Sequence, residues 1–415
     1  MKTDVIVLGA GVIGLGAALN IQSKGRSVTL IDRGEPGRET SFGNAGIIER
    51  ASIYPYAFPR AAGELFRYAL NGTPEAYYHV KALPRVANFL ARYWWHSAPA
   101  RHQIARDGAL PLIQNSLSEH EKLIKEAGAH NLLKRLGWIK LFRNDAKYRA
   151  AIDDVAELKT YGLSFDVLDA DQLAAREPDL QERVVGAIHY KDPANISDPG
   201  ALSLAYAELF KRKGGVFLHG DARTLSQGPE GWTVQTEQGP VTARDVVVAL
   251  GPWGQDLAEA FGYKLPMAVK RGYHMHYKPQ GHAVLHHTIL DTDNGYVLAP
   301  MDKGVRLTTG AEFALRDAPP TDVPLARTEP HAKKLFPLGE RLDDTPWMGS
   351  RPCTPDMLPI VGPAPRHQGL WFNFGHAHHG LTHAAACGRL IAEMIVGEAP
   401  FADPKPYAVT RFTSG

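Results

Sequence analysis

The hydrophobic and polar pattern of the first 33 residues predicts a strand, a turn, a helix and a second strand. Residues 4–10 (DVIVLGA) form a continuous apolar run, as in parallel strands that are covered on both faces. Residues 14–25 are small and helix-permissive, and residues 27–33 (SVTLIDR) form the second strand. A right-handed crossover then places the helix N-terminus at the carboxyl edge of the sheet, where ligands bind.

Strand patterns return later in the chain. GGVFLHG, GWTVQTEQ and VTARDVVVALG predict a meander that leads back to a buried strand ending at Gly251. Residues 268–316 alternate apolar and polar positions, which predicts an antiparallel sheet with one face toward ligand or solvent. The predicted fold class is therefore α/β (α+β): a Rossmann-like domain interleaved with a second domain that contains a large antiparallel sheet.

Residues 54–102 are rich in aromatic residues, arginine and proline, and predict short amphipathic helices. These helices either cover the core with their aromatic side chains or form a surface that contacts a membrane. The pattern is compatible with both interpretations.

Composition narrows the possible functions. The chain of 415 residues is longer than one typical domain, and its 46 Lys and Arg against 44 Asp and Glu give a net charge of +2. This balance does not favour a nucleic-acid partner and favours a small substrate. Two cysteines are too few for a disulfide framework or a zinc site, so we predict a cytoplasmic protein without a metal. No apolar run is long enough to span a membrane, although peripheral contact with the inner face stays open.

Gly9, Gly11 and Gly14 form G-x-G-x-x-G directly after a strand and at the start of a helix, and Asp32 ends the next strand. This context is typical of a dinucleotide site, in which the glycines let the backbone approach a pyrophosphate and the acidic residue binds a ribose. Asp32 argues against NADP, but the motif alone does not separate NAD from FAD.

Further motifs carry a resemblance to a known family. SFGNAG (41–46), VVVALGPWG (246–254), RPCTPDMLPIVG (351–362) and the histidine-rich segment from residue 375 resemble the D-amino-acid oxidase and glycine oxidase superfamily of FAD-dependent oxidoreductases. KRGYH (270–274), WMGSRPCTPDMLPI (347–360) and PYAVTRF (406–412) make the chain most similar to the bacterial D-amino acid dehydrogenases.

The resemblance implies an FAD domain in three segments, 1–55, 171–267 and 346–415, and a substrate domain in two, 56–170 and 268–345. It also implies FAD contacts, here predicted for Gly9, Gly11, Gly14, Asp32, Arg33, Ser41, Asn44, Ala45, Gly46, Gly251, Gly380, Leu381 and Thr382. Related sarcosine oxidases tether flavin through a cysteine, and Gly349 occupies about that place here. We therefore predict non-covalent FAD.

For the substrate, the resemblance points to Arg351 as the cation for the α-carboxylate, and a planar guanidinium suits that group. Tyr296 matches a tyrosine that closes on the carboxylate, and Arg306, Tyr273 and His274 are further candidates on adjacent strands. A surface salt bridge is the alternative role for either arginine. His376, His378 and His379 lie on a predicted glycine-rich loop without a carboxylate, which does not indicate a metal site.

The resemblance implies oxidative deamination of a D-amino acid by hydride transfer from Cα to flavin N5, with electrons passed to a quinone or another carrier. D-proline or D-hydroxyproline dehydrogenase and an amine oxidase of the glycine or sarcosine type that uses O₂ are alternatives. So are a flavoprotein that serves a macromolecule such as tRNA and an NAD-dependent dehydrogenase.

Overall fold

The computed structural model describes residues 1–412. In chain order its strands are β1 Lys2–Leu8, β2 Val28–Asp32, β3 Ile47–Ile48, β4 Ala76–Tyr78, β5 Leu133–Lys134, β6 Trp138–Phe142, β7 Phe165–Asp169, β8 Gly186–Tyr190, β9 Ala194–Ile196, β10 Val216–Gly228, β11 Gly231–Thr236, β12 Gly239–Val248, β13 Ala268–Pro279, β14 Thr288–Asp291, β15 Tyr296–Met301, β16 Gly304–Thr308, β17 Ala311–Phe313, β18 Leu338–Arg341, β19 Trp347–Cys353, β20 Ile360–Pro363 and β21 Leu370–Phe374. The α-helices are α1 Val12–Ser23, α2 Ala62–Ala69, α3 Leu83–His96, α4 Pro99–Ala127, α5 Asp145–Ala156, α6 Ala170–Arg176, α7 Pro199–Arg212, α8 Gly254–Ala260, α9 Val323–Leu335 and α10 Gly380–Val396.

A seven-stranded sheet contains the predicted strand–helix–strand unit. Strands β10, β2, β1, β12 and β21 lie side by side and parallel, so Leu8 at the end of β1 is paired with Ile31 of β2 and Val248 of β12. Strand β11 pairs antiparallel with β10 and β12, and β20 adds an antiparallel edge. The predicted Rossmann-like half and its meander are both present, and the carboxyl ends of the parallel strands meet at one edge.

Helix α1 is apolar because it is enclosed: eight of its residues are buried, and it packs mainly against α10. Helix α4 packs against α10 and α7, and Leu112, Leu123 and Ile124 belong to the same apolar core as α1. The predicted division places residues 56–170 in the substrate domain. In the structure α4 instead belongs to the layer on the nucleotide-binding sheet, because its apolar stripe is buried there.

The large predicted sheet is also present, as eleven mainly antiparallel strands in which β13 pairs with β16, β17, β18 and β19; β6 with β14 and β4 with β17 are its parallel pairs. Two of its strands come from segments that the predicted division gives to the FAD domain. Strand β8 pairs with β6 and β7, and β19 pairs with β13 along its full length. The five-segment division stays a prediction, and α4, β8 and β19 lie in a different layer or sheet from the one that it gives them.

The aromatic and arginine-rich region forms a loop over residues 54–61, followed by α2, β4 and α3. Tyr93 of α3 donates its hydroxyl to the carbonyl of Tyr56 (2.8 Å), and Ser97 accepts from the backbone N–H of Phe58 (2.7 Å). The loop is thereby fixed to α3 as a cover. Within residues 1–412, no helix is both long and apolar enough to cross a lipid bilayer.

Candidate active site

A cavity of about 2290 Å³ lies between the carboxyl edge of the parallel strands and the eleven-stranded sheet. A typical small-molecule pocket measures about 300–1,000 Å³, so this cavity has room for more than one small ligand. Eleven of the thirteen predicted cofactor residues line it; of the other two, Gly14 packs against Gly9 and Gly46 follows Ala45 in the sequence.

The glycine-rich turn forms one end of the cavity. Gly9 has a φ of 103°, and a Cβ there would lie 2.5 Å from the carbonyl oxygen of Ala249. A Cβ on Gly14 would lie 1.7 Å from the carbonyl oxygen of Gly9. The turn therefore requires glycine at both positions, and it places the first N–H groups of α1 at the cavity wall, where a helix N-terminus favours a phosphate.

Asp32 and Ser41 hold this turn in place. The Asp32 carboxylate accepts from the backbone N–H of Ala10 (2.6 Å) and of Gly34 (3.0 Å), and the Ser41 hydroxyl accepts from that of Val12 (3.0 Å). Both side chains also line the cavity. A carboxylate oxygen retains lone pairs after these bonds, so Asp32 can still accept from a ribose hydroxyl.

The segment Gly380–Thr382 is the first turn of α10, and all three of its residues line the cavity. His120 anchors the turn, since its Nε2 lies 2.7 Å from the carbonyl oxygen of Leu381. The positive end of a 17-residue helix favours negative charge on a bound group. These features, with the glycine turn and Asp32, fit FAD extended across the cavity.

Of the five residues predicted to bind the substrate, Arg351 of β19 lies in the cavity wall. Its guanidinium lies against the backbone of Gly272 and donates to the carbonyl oxygens of Gly310 (3.0 Å) and Thr309 (3.4 Å). Among the residues described, its partners are thus carbonyls, not a carboxylate. Burial lowers the pKa of Arg351, which reflects a cation without a matching anion. Such a group is suited to bind a carboxylate from a ligand.

A second cation lies next to Arg351. Lys270 is its register partner on β13, also lines the cavity, and sits 4.0 Å from the ring centre of Tyr93. The neighbouring His378 is kept uncharged, because burial and the charges of His379, Lys270 and Arg351 lower its pKa well below the usual value. This end of the cavity is therefore cationic.

The structure does not bring Tyr296 and Tyr273 to the cavity. Tyr296 packs beneath α9 and donates to the carbonyl of His331 (3.4 Å), while Val297 next to it lines the cavity. Tyr273 donates to Glu312 (2.7 Å), which also pairs with Arg271. Side chains alternate across a strand, so both tyrosines point to the far face of the sheet. Their predicted contact with the substrate is corrected accordingly.

His274 and Arg306 lie on the cavity side of the sheet but behind the wall. His274 stacks on Trp347, with its Nδ1 3.3 Å from the carbonyl oxygen of Gly43. Arg306 donates to the carbonyl of Asn44 and, from Nε, to His276 (2.9 Å). Both residues therefore support the SFGNAG segment (41–46), which is predicted to contact FAD, and neither lines the cavity.

His274, His276 and Asp343 bring their ligand-capable atoms within 4.8 Å of one another, yet His276 and Asp343 form a hydrogen-bond chain with Arg306. Because Arg306 is a donor only, His276 Nε2 must accept, and His276 Nδ1 donates to Asp343 (2.8 Å). Burial lowers the pKa of Arg306 to about 10, so it stays charged at neutral pH beside the histidine. A cation in that place opposes metal binding.

We expect Arg306→Met to weaken FAD binding about 10- to 100-fold, because a charge-assisted hydrogen bond that positions Asn44 is lost. Titration of the apoprotein with FAD, followed by flavin fluorescence, measures the dissociation constant. Arg341→Met is the matched control, since Arg341 lies on the same sheet in a half-exposed pair with Glu329. An unchanged dissociation constant would contradict the supporting role of Arg306.

Sequence reasoning missed one wall of the cavity, formed by Glu49, Tyr56, Trp138, Lys140 and Tyr190. One signal was available, because Glu49 is an acidic residue directly after the apolar pair Ile47–Ile48 and the SFGNAG segment. No local signal marks Trp138 or Tyr190. They reach the wall through the pairing of β6 with β8.

Comparisons with known proteins agree with this geometry. The sequence model of the family described as FAD dependent oxidoreductase matches residues 4–394. A D-amino-acid oxidase of Bradyrhizobium diazoefficiens is 32% identical over 429 residues, and a D-amino acid dehydrogenase of the same organism is 28% identical over 416 residues; both alignments cover 98% of each chain. The solved glycine oxidase from Geobacillus kaustophilus has the same fold, with a TM-score of 0.78, 22% identity and full coverage of both chains.

Proposed function

Because the chain belongs to the FAD-dependent oxidoreductase family whose sequence model covers residues 4–394, we propose that it deaminates a D-amino acid oxidatively. FAD is its cofactor, and its activity is that of an FAD-dependent amino acid oxidoreductase. Relatives named D-amino-acid oxidase and D-amino acid dehydrogenase, aligned over nearly the whole chain, support the choice of the D-isomer.

The observation that carries the proposal is the position of Arg351. It is a cavity-wall arginine whose described partners are backbone carbonyls, and the same cavity contains the dinucleotide-binding turn. Arg351 and Lys270 bind the α-carboxylate and so hold the α-carbon at a fixed position in the cavity. The loop carrying Tyr56 and Phe58 covers the substrate and keeps bulk water out.

FAD, held by the glycine turn, Asp32 and the first turn of α10, would supply the two-electron acceptor for the hydride from Cα, and a quinone or another carrier would reoxidise it. The α-amine reacts in its neutral form, its lone pair forms the C=N bond, and water hydrolyses the released imine to a 2-oxo acid and ammonia. The residues of the chain contribute position and charge to this reaction.

The two cysteines support non-covalent attachment. Burial raises the pKa of the Cys353 thiol, whose sulfur contacts the carbonyl of Arg351 (3.4 Å), and it raises that of Cys387 in α10 further. Neither thiol is then a ready nucleophile. We expect acid precipitation to release all yellow colour into the supernatant, and colour retained in the pellet would contradict this.

The exposed side chains of α3 support the proposal that the electron acceptor is a quinone at a membrane surface. Trp94 and Trp95 of α3 are exposed, and the guanidinium groups of Arg60 and Arg101 stack on them at 4.0 and 3.6 Å. Exposed aromatic and basic side chains are typical of contact with anionic lipid headgroups.

An anaerobic flavin-bleaching screen tests the proposal. The holoenzyme is mixed with D- and L-amino acids, D-proline, D-hydroxyproline, glycine and sarcosine, and the flavin absorbance is followed. Bleaching by D-isomers is expected, with reoxidation faster by a quinone than by air. Bleaching by cyclic D-imino acids alone, or by glycine and sarcosine with rapid reoxidation by air, would favour those alternatives. No bleaching by any compound would overturn the amino-acid assignment.

A further inference from the structure

Glu49 is a carboxyl group in the cavity wall that the reaction described above does not use. It directly follows β3 and is 7% exposed. Its backbone N–H donates to the hydroxyl of Thr382 (3.1 Å), which ties it to the first turn of α10. Glu49 is therefore fixed in the cavity wall between the SFGNAG segment (41–46) and the first turn of α10.

Aromatic side chains surround this carboxyl group. Trp138 donates its indole N–H to Glu49 Oε2 (3.3 Å), and its ring stacks on Tyr190 at 4.7 Å between centroids and 28° between planes. Both rings and Tyr56 line the cavity. A carboxylate next to aromatic faces is a favourable environment for an organic cation, through an ion pair and cation–π attraction.

Burial raises the pKa of Glu49 to about 7, against hydrogen bonds from Ser52 and Trp138 that lower it. Near neutral pH the group can thus hold or lose its proton, and a bound cation would stabilise the ionised form. Lys140 also lines the cavity; burial lowers its pKa, and the charge of Asp154 raises it. Within residues 1–412, Glu49 accepts hydrogen bonds but forms no salt bridge with a Lys, Arg or His side chain, so its charge is available to a ligand.

Glu49 and Arg351 both act on Tyr56, and all three residues line the same cavity. Partial removal from water raises the pKa of Tyr56, the charge of Glu49 adds to that rise, and the charge of Arg351 opposes it. A ligand beside Tyr56 can therefore meet both charges, and a ligand that pairs with both must carry an anion and a cation.

We propose that Glu49, with Trp138, Tyr190 and Tyr56, forms a subsite for a positively charged nitrogen at the side-chain end of the substrate. The enzyme then prefers D-amino acids with a basic side chain. This inference rests on the proposed function, in which Arg351 takes the α-carboxylate.

The test compares D-lysine with D-norleucine, which has the same unbranched four-carbon chain from Cα without the terminal ammonium. Anaerobic stopped-flow reduction of the holoenzyme gives the ratio of the reduction rate constant to the dissociation constant for each. We expect the unmodified enzyme to favour D-lysine about 10- to 100-fold, as for a hydrogen bond to a charged group. Glu49→Gln should abolish this preference and leave D-norleucine within about twofold.

The preference should also depend on pH with a defined sign. Below about pH 7 the Glu49 carboxyl is neutral, and above it the group is ionised while the side chain of D-lysine keeps its charge. The preference for D-lysine therefore rises with pH through about 7, and Glu49→Gln removes that rise. Trp138→Phe keeps the ring but removes the donor to Glu49, so it should move the rise to higher pH.

The controls separate this inference from the proposed function. Glu230→Gln, at an exposed ion pair with Lys2, should change neither substrate. If no amino acid bleaches the flavin, the proposed function fails. If D-norleucine bleaches it as well as D-lysine does, or if Glu49→Gln leaves the ratio unchanged, the subsite is wrong. Equal loss for both substrates would place Glu49 at the α-amine and would also overturn the inference.

Discussion

Replacing Arg351 with alanine is expected to lower the efficiency of flavin reduction by D-amino acids about 10²- to 10³-fold, while FAD stays bound. The loss follows because the substrate carboxylate would lose its bidentate partner and keep only Lys270, and truncation of one member of such a pair costs about 2–5 kcal/mol. Anaerobic stopped-flow measurements give the reduction rate constant and the substrate dissociation constant separately. The flavin absorbance per protein reports cofactor content.

Two companion variants sharpen this prediction. Arg351→Lys keeps the charge but loses the planar fork, so part of the activity should return. At Gly272 a Cβ would lie 2.3 Å from Nη2 of Arg351, so Gly272→Ala should displace the guanidinium and impair substrate binding without removing any charge. If Arg351→Ala reduced its flavin as fast as the unmodified enzyme does, the carboxylate would bind elsewhere and the assignment would be wrong.

The cofactor half of the site was predictable because its determinants are local in the sequence. Gly9, Gly11 and Gly14 act within one turn, and Asp32 follows at the end of the next strand. Short-range spacing and the apolar strand runs fix these positions without knowledge of the rest of the chain. The residues carried over from the family resemblance in the Ser41–Gly46 segment and in the first turn of α10 also reach or border the cavity.

The substrate half was harder because it depends on which face of a strand meets the cavity. Alternation predicts two faces for β13 and β15, but it does not identify the inner one. Tyr273 and Tyr296 are therefore plausible from sequence and yet lie on the far face. The Glu49 wall depends on pairing between β6 and β8, which are about 50 residues apart. Such non-local contacts leave no periodic signal.

The interleaving of the two halves has the same cause. Strand β19 pairs with β13 in the large sheet, and a connection of six residues leads from it into β20 of the nucleotide-binding sheet. Composition does not change between these strands, so no boundary is visible in the sequence. This interleaving matters for function, because the strand that carries Arg351 leads directly into the nucleotide-binding sheet. The position of Arg351 is thereby fixed relative to the cofactor site.

Gly14→Ala is expected to yield protein largely without FAD. A methyl group at residue 14 would lie 1.7 Å from the carbonyl oxygen of Gly9 and 2.9 Å from its carbon, so α1 and the glycine turn must move apart. Overpacking of this kind costs about 1–3 kcal/mol, which is about a 5- to 150-fold loss of affinity if it falls on the bound form. The displaced turn would also misdirect the first N–H groups of α1 that favour a phosphate.

Gly34→Ala is the matched control, because a Cβ there meets nothing within 4 Å and the residue lies two positions after Asp32. Apoprotein titrations with FAD and thermal unfolding, each with and without added FAD, distinguish loss of cofactor affinity from loss of fold. The expected pattern is a weakened FAD affinity and a smaller FAD-induced rise in unfolding temperature for Gly14→Ala alone. Equal FAD affinity in the two variants would mean that the glycine turn does not carry the pyrophosphate. The cofactor would then be anchored mainly by Asp32 and the first turn of α10, which also line the cavity.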